Sequence, residues 1–357
     1  MSELVIKFGI EHGTNSSFTL MNTETYLKSI KYIDNTGYDS IFIMDHLNHI
    51  PPRAEIPSCN ILLGWAAAET KNVKIGTSVT DPHRKHPSQI ALDSLTMQRI
   101  TKNRFILGIG AGEGMNLTNF GVQWDRPAKR LKEAVEVIKL LWSTSQKRKI
   151  TANYKGEFFN LENARLQYPT KILPKLWIAA NGPKLIEFTG EHANGWIPIN
   201  YSPKLYKKHL NHLKKAGRID EIEKVCEIFV FISDDNPDQA HEVGRNVGAS
   251  LCLVPELLEE YNIELPEGFS SQQIFKLPVE ELFAYTDKIR EYALKDIPTE
   301  IMESVIIAGS SDEIVEQISE FVNVGAEYFI IELFGIGEYF SALELFTNKV
   351  VKYFKDK

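Results

Sequence analysis

Eight short apolar runs rich in β-branched residues constrain this chain more than any other feature. They are LVIKFGI from Leu4, SIFIMDH from Ser40, VKIGTSV from Val73, RFILGIGAG from Arg104, KLWIAANGP from Lys175, GWIPIN from Gly195, KVCEIFVFIS from Lys224 and AEYFIIEL from Ala326. The first four recur at roughly 30 to 36 residues, the size of one βα unit. Between the runs lie amphipathic segments with helix signals. Thr23 to Thr36 opens on Thr-Glu-Thr and stops at Gly37, Ser310 and Ser311 precede DEIVEQISEFV before Gly325, and Pro87, Pro183 and Pro203 stand at first helical positions. Apolar strands alternating with helices require a parallel sheet covered on both faces. An open doubly wound sheet and a closed barrel both satisfy that pattern, and eight strands favour the barrel. The expected fold is therefore α/β, a (β/α)8 TIM barrel with insertions, forming one domain over residues 1–357. The insertions fall at 145–174 and 255–303, and long non-repetitive insertions on a barrel serve as lids or substrate loops.

Composition narrows the partners. The chain has 357 residues, 43% of them hydrophobic, and 40 Lys and Arg against 47 Asp and Glu, a formal charge of −7. That balance argues against a general nucleic-acid or anionic-membrane binder, which needs a basic face. No apolar segment reaches spanning length, and the N-terminal run carries a lysine and a glutamate, unlike a signal peptide. Cys59, Cys226 and Cys252 are scattered and form no CxxC pair, which fits free thiols in a reducing cytoplasm.

Polar groups crowd the ends of three runs: Asp45 and His46 after the second, Ser78 to Asp81 after the third, and Glu113 after the fourth. In a barrel these strand ends ring one mouth, where catalytic residues collect. GIGAGEG fails as a dinucleotide fingerprint, because Glu113 or Met115 stands where the last glycine belongs. A loop with few side chains instead suits the approach of a flat ring, with Glu113 at its edge. His83 and His86 are three apart with no acid between them, so no metal site is expected. His209 and His212, in the lysine-rich YKKHLNHLKKAGR, are expected on a solvated outer face. AANGPK leads into a helix at Pro183, and amides exposed by Gly182 are suited to a phosphate.

IGTSVTDP, GIGAGE followed by Asn116, YKGEFF and IAANGPK together resemble the luciferase-like oxidoreductase superfamily, in particular its coenzyme F420-dependent branch of methylenetetrahydromethanopterin reductases and F420-dependent dehydrogenases. The resemblance implies a cis peptide between Ser78 and Val79, with the bulge against one face of a deazaflavin. It makes His46 a proton donor or acceptor at the substrate and Glu113 an acid or base near the ring. Asp45, Ser78, Val79, Asp81, Ala111, Gly112, Asn116, Asn181 and Gly182 match cofactor-binding positions. An imidazole of near-neutral pKa would handle the alcohol or carbonyl proton while hydride moves between carbons. The implied partner is a small organic substrate of alcohol, ketone or methylene-pterin type, and the implied assembly a homodimer. The glucose-6-phosphate enzymes of the branch carry a tryptophan where this chain has Ile50, which argues against that substrate. Two other readings are an FMN-dependent monooxygenase on the same barrel and a cofactor-binding protein that has lost its chemistry.

Overall fold

The computed structural model describes residues 5–12, 23–49, 56–147 and 150–356. Ile50 lies outside them. Eight parallel strands close into a barrel: β1 (Lys7–His12), β2 (Ser40–Ile43), β3 (Lys74–Thr77), β4 (Phe105–Ile109), β7 (Lys175–Ala179), β8 (Gly195–Ile197), β9 (Glu223–Ile232) and β11 (Tyr328–Gly335). Closure comes from β1 pairing with β11 and β8 pairing with β9. β5 (Ala152–Lys155) and β6 (Asn160–Ala164) form an antiparallel hairpin inside the first insertion.

β10 (Ile307–Gly309), absent from the eight apolar runs, is a correction to the sequence reading. It is three residues long and sits just before a capped helix, too short to register as a run. β8 and β10 share one edge of β9, β8 near its start and β10 opposite Val230 to Ile232. The second insertion folds as helices, including Val279–Asp296, between the helix Pro237–Leu251 and β10.

The helix signals act as expected. Pro87, Pro183 and Pro203 each open a helix. Ser310 and Glu313 form a reciprocal capping box at the start of Ser311–Val324, and Gly325 ends that helix with φ of +112°. His209 is a second correction: it is buried, not solvated. On the helix Pro203–Lys214 it shares a face with Leu205, Tyr206, Leu210 and Leu213, and that helical period outweighs the surrounding lysines. Its Nε2 lies 2.6 Å from a Glu256 carboxylate oxygen.

Apolar packing divides into two shells. A large cluster joins the outer strand faces to the helices. A small one, including Phe42, Ile106, Trp177, Val225, Tyr328 and Ile330, fills the barrel interior. Because side chains alternate across a strand, the same inward face of β9 carries Val225, Glu227, Phe229 and Phe231, and that of β11 carries Tyr328, Ile330, Glu332 and Phe334. β3 and β4 approach so closely that a Cβ on Gly108 would stand 2.0 Å from the Thr77 carbonyl oxygen. Since backbone cannot yield there, Gly108→Ala is expected to cost about 3 kcal/mol, read as a lowered urea midpoint.

Candidate active site

Above the inner apolar plug the barrel opens into a cavity of about 1200 Å³. His46, Glu113, Asp45, Ser78, Val79, Asp81, Ala111, Gly112, Asn116 and Asn181 all line it. Gly182 lies in an adjoining cavity of about 310 Å³ that shares Asn181 and Asn200 with the first. Strands far apart in sequence thus bring the candidate catalytic and cofactor-binding residues to one end of the barrel.

Ser78 and Val79 are joined by a cis peptide immediately after β3. Val79 packs on the backbone of the next strand, where a Cβ on Gly110 would meet its Cγ2 at 2.5 Å. Asn116 ties two loops together. Its Oδ1 accepts from the backbone amides of Leu47 and Asn48 at 2.7 and 2.8 Å, and its Nδ2 donates to Glu113 at 3.1 Å. Glu113 also lies 3.4 Å from His46 Nε2.

Asp45, after β2, and Asp81, after β3, are both engaged by the loop that follows β3. Thr80 and Lys85 donate to Asp45 at 2.6 and 2.5 Å, and Arg84 stands 3.4 Å away. Asp81 accepts from the amides of His83 and Arg84 and from the Arg84 side chain. Burial alone would raise the Asp45 carboxyl, but Lys85 and Arg84 together hold it below its ordinary value. His83 binds backbone carbonyls of Ala111 and Gln123, and His86 accepts at the helix start from Ser88, so both have structural partners.

Electrostatics move the titratable groups of the cavity away from their ordinary values. Burial, reinforced by Arg84, lowers His46 to about 4, so its imidazole is neutral at pH 7. Burial raises Glu113. Deeper in the cavity, Glu11, Glu227 and Glu332 bring one oxygen each within 4.8 Å of the others. All three are buried, and neither Glu11 oxygen meets a hydrogen-bond donor among the described residues. Adjacent buried carboxyls cannot all ionise, so they share protons. Burial and then the neighbouring carboxylates lift Glu11 and Glu332 well above the ordinary range, and burial pushes Glu227 up to about 7.

These glutamates escaped the sequence reading. Each sits alone in an apolar run, in KFGIEH, KVCEIFVFI and YFIIELFG. The available signal was an acid at one position of a strand otherwise apolar on both faces. β1 also runs past Ile10 to His12, which carries Glu11 into the barrel.

The cavity also has the features a ring with a phosphate-bearing tail requires. His46 Nδ1 and Asn200 Oδ1 are buried on its wall with no hydrogen-bond partner among the described residues. Gly182 begins the helix Pro183–His192, and a Cβ built there would meet nothing within 4 Å. That leaves room for an anion at the positive end of the helix.

The sequence pattern of the luciferase-like monooxygenases matches residues 4–328. The chain belongs to that family. A phthiodiolone/phenolphthiodiolone dimycocerosates ketoreductase of Mycobacterium tuberculosis is 27% identical over 324 residues, spanning 83% of this chain and 84% of the relative. An F420-dependent glucose-6-phosphate dehydrogenase of Kineococcus radiotolerans is 31% identical over 287 residues, spanning 76% and 80%. In fold, this luciferase-like protein is similar to an F420-dependent secondary alcohol dehydrogenase solved with an F420-acetone adduct. The TM-score is 0.76 at 21% identity, covering 97% of this chain and 98% of the other.

Proposed function

We propose that this protein is a coenzyme F420-dependent oxidoreductase that moves hydride between the deazaflavin and a small alcohol, ketone or methylene-pterin. The observation that carries the reading is the convergence on one cavity of Val79 after β3, the Ala111 to Glu113 loop after β4 and the buried carboxyls of Glu11, Glu227 and Glu332. When bound, the deazaflavin supplies a carbon that gives up or accepts hydride.

The chain's own residues do the rest. Val79, Ala111 and Gly112 provide a low wall for the ring, and Asn181 with Gly182 receives the anionic tail at the helix start. Asp45 and Asp81 keep the loop after β3 in shape and reach the ring's edge. Neutral His46 orients the substrate oxygen through the ring nitrogen that lacks a partner, while Glu113 exchanges a proton beside it. Glu227, sharing protons with Glu11 and Glu332, is the reservoir that restores the donor after each turnover. The residue roles, a homodimeric assembly and a cytoplasmic setting belong to the same reading; the three cysteines are free and buried.

A fluorescence titration with coenzyme F420 and, in parallel, with FMN tests it. Saturable binding of the deazaflavin and weak binding of FMN are expected. Selective binding of FMN, with oxygen consumed when the flavin is reduced, would instead make the protein a monooxygenase.

A further inference from the structure

The eight strands form a ring, so β3 and β4 face β9 and β11 across the barrel. A ring cofactor seated against Val79 on the β3 side leaves its other face toward β9 and β11. That opposite wall has a definite chemistry. Phe229 stands next above Glu227 on its strand and pairs in register with Glu332, and Phe231 pairs with Phe334 in the layer beyond. Phe231 and Phe334 stack with ring centroids 4.7 Å apart, and Phe229 tilts against Phe334 at 5.5 Å. Val243 and Val247 of the helix Pro237–Leu251 and Phe275 of the second insertion continue the lining.

Charge in this lining is committed elsewhere. Arg84 is held by Asp45 and Asp81, and Arg290, on the more exposed helix Val279–Asp296, pairs with Asp287 at 2.6 Å. The floor carries carboxyls. An anionic group within a few bonds of the reacting carbon would lie against phenyl rings or acids, with no unpaired cation among the described lining residues to compensate desolvation.

We infer that the β9 and β11 wall selects uncharged ketones, or the matching secondary alcohols, that carry an extended alkyl or aryl body, and rejects sugar phosphates and 2-oxo acids. This rests on the hydride-transfer reading above. In the reducing direction the carbonyl carbon gains a hydride from the reduced deazaflavin, its oxygen gains a proton from the acid groups, and the coenzyme is oxidised by two electrons.

Two measurements on the full chain test it. Displacement of Nile red from coenzyme-free protein by 2-alkanones from acetone to 2-decanone gives binding alone, and oxidation of reduced coenzyme F420 by the same series gives turnover. Each added methylene is expected to tighten binding and raise kcat/KM by about fourfold until the wall is covered. Pyruvate as an acceptor, and glucose-6-phosphate as a hydride donor to the oxidised coenzyme, are expected neither to displace the dye nor to turn over. Phe334→Ala should flatten the chain-length series, and Val247→Phe should shorten it. A flat binding series, or better turnover of the anions, overturns the inference. A steep binding series with no coenzyme oxidation by any ketone supports the apolar wall and overturns the oxidoreductase reading instead.

Discussion

Glu227→Gln is expected to lower kcat for carbonyl reduction by about 100-fold or more and to abolish an ionisation near pH 7. Positioned acid-base groups contribute roughly 10² to 10⁴ in rate. Among the described groups facing the cavity, Glu227 is pushed up to about 7 within a cluster whose other carboxyls are raised as well, whereas His46 is lowered to about 4. Reduction consumes a proton, so the wild-type rate should fall as pH rises through about 7, and oxidation of the alcohol should rise over the same range. In the Gln variant that inflection near pH 7 should be lost or displaced. A His46→Ala protein that alone loses the pH 7 inflection would move the proton source back to the imidazole.

The same carboxyl sets a stability profile. Its folded pKa stands above the ordinary 4.5, so the native state is favoured while the group is protonated in both states. That advantage declines as pH climbs from about 4.5 toward 7 and is gone above it. Thermal melts of wild type and Glu227→Gln from pH 5 to 8 should therefore diverge, the wild type losing stability relative to the variant.

Asp45→Ala is expected to destabilise the protein by about 3 kcal/mol at pH 7, because it strands Lys85 in a half-buried setting and takes one of two carboxylates from Arg84. The Asp45 side chain is 8% exposed, and those of Arg84 and Lys85 are 13% and 23% exposed. Asp81 still holds Arg84, so most of the loss comes from Lys85 and from Thr80, which loses its acceptor. Urea unfolding at pH 7 measures the loss. Adding Lys85→Gln to the variant should recover part of it, and a purely additive double variant would refute the pairing. Asp45 is held below its ordinary pKa, so its contribution is present at neutral pH and disappears as pH falls through the acidic range.

The sequence alone determined the strand and helix alternation, the caps at Ser310 and Gly325, the prolines that open helices, and the strand ends that meet at the mouth. These are local signals, written in periodicity and turn chemistry within a dozen residues. It did not disclose β10, because three residues beside a helix carry no period of their own. Nor did it separate His209 from its lysine neighbours, though the helical period contained that answer.

The carboxyl floor belongs wholly to the tertiary structure. Glu11, Glu227 and Glu332 lie more than a hundred residues from one another, and each reads locally as a stray charge in an apolar strand. Whether such a side chain points into the barrel or toward the helices depends on how β1, β9 and β11 pair. A shift of one residue would exchange the two faces. Closure of the barrel fixes that register, places the three acids together and buries them, and from that follow both their shared protons and the raised pKa of Glu227.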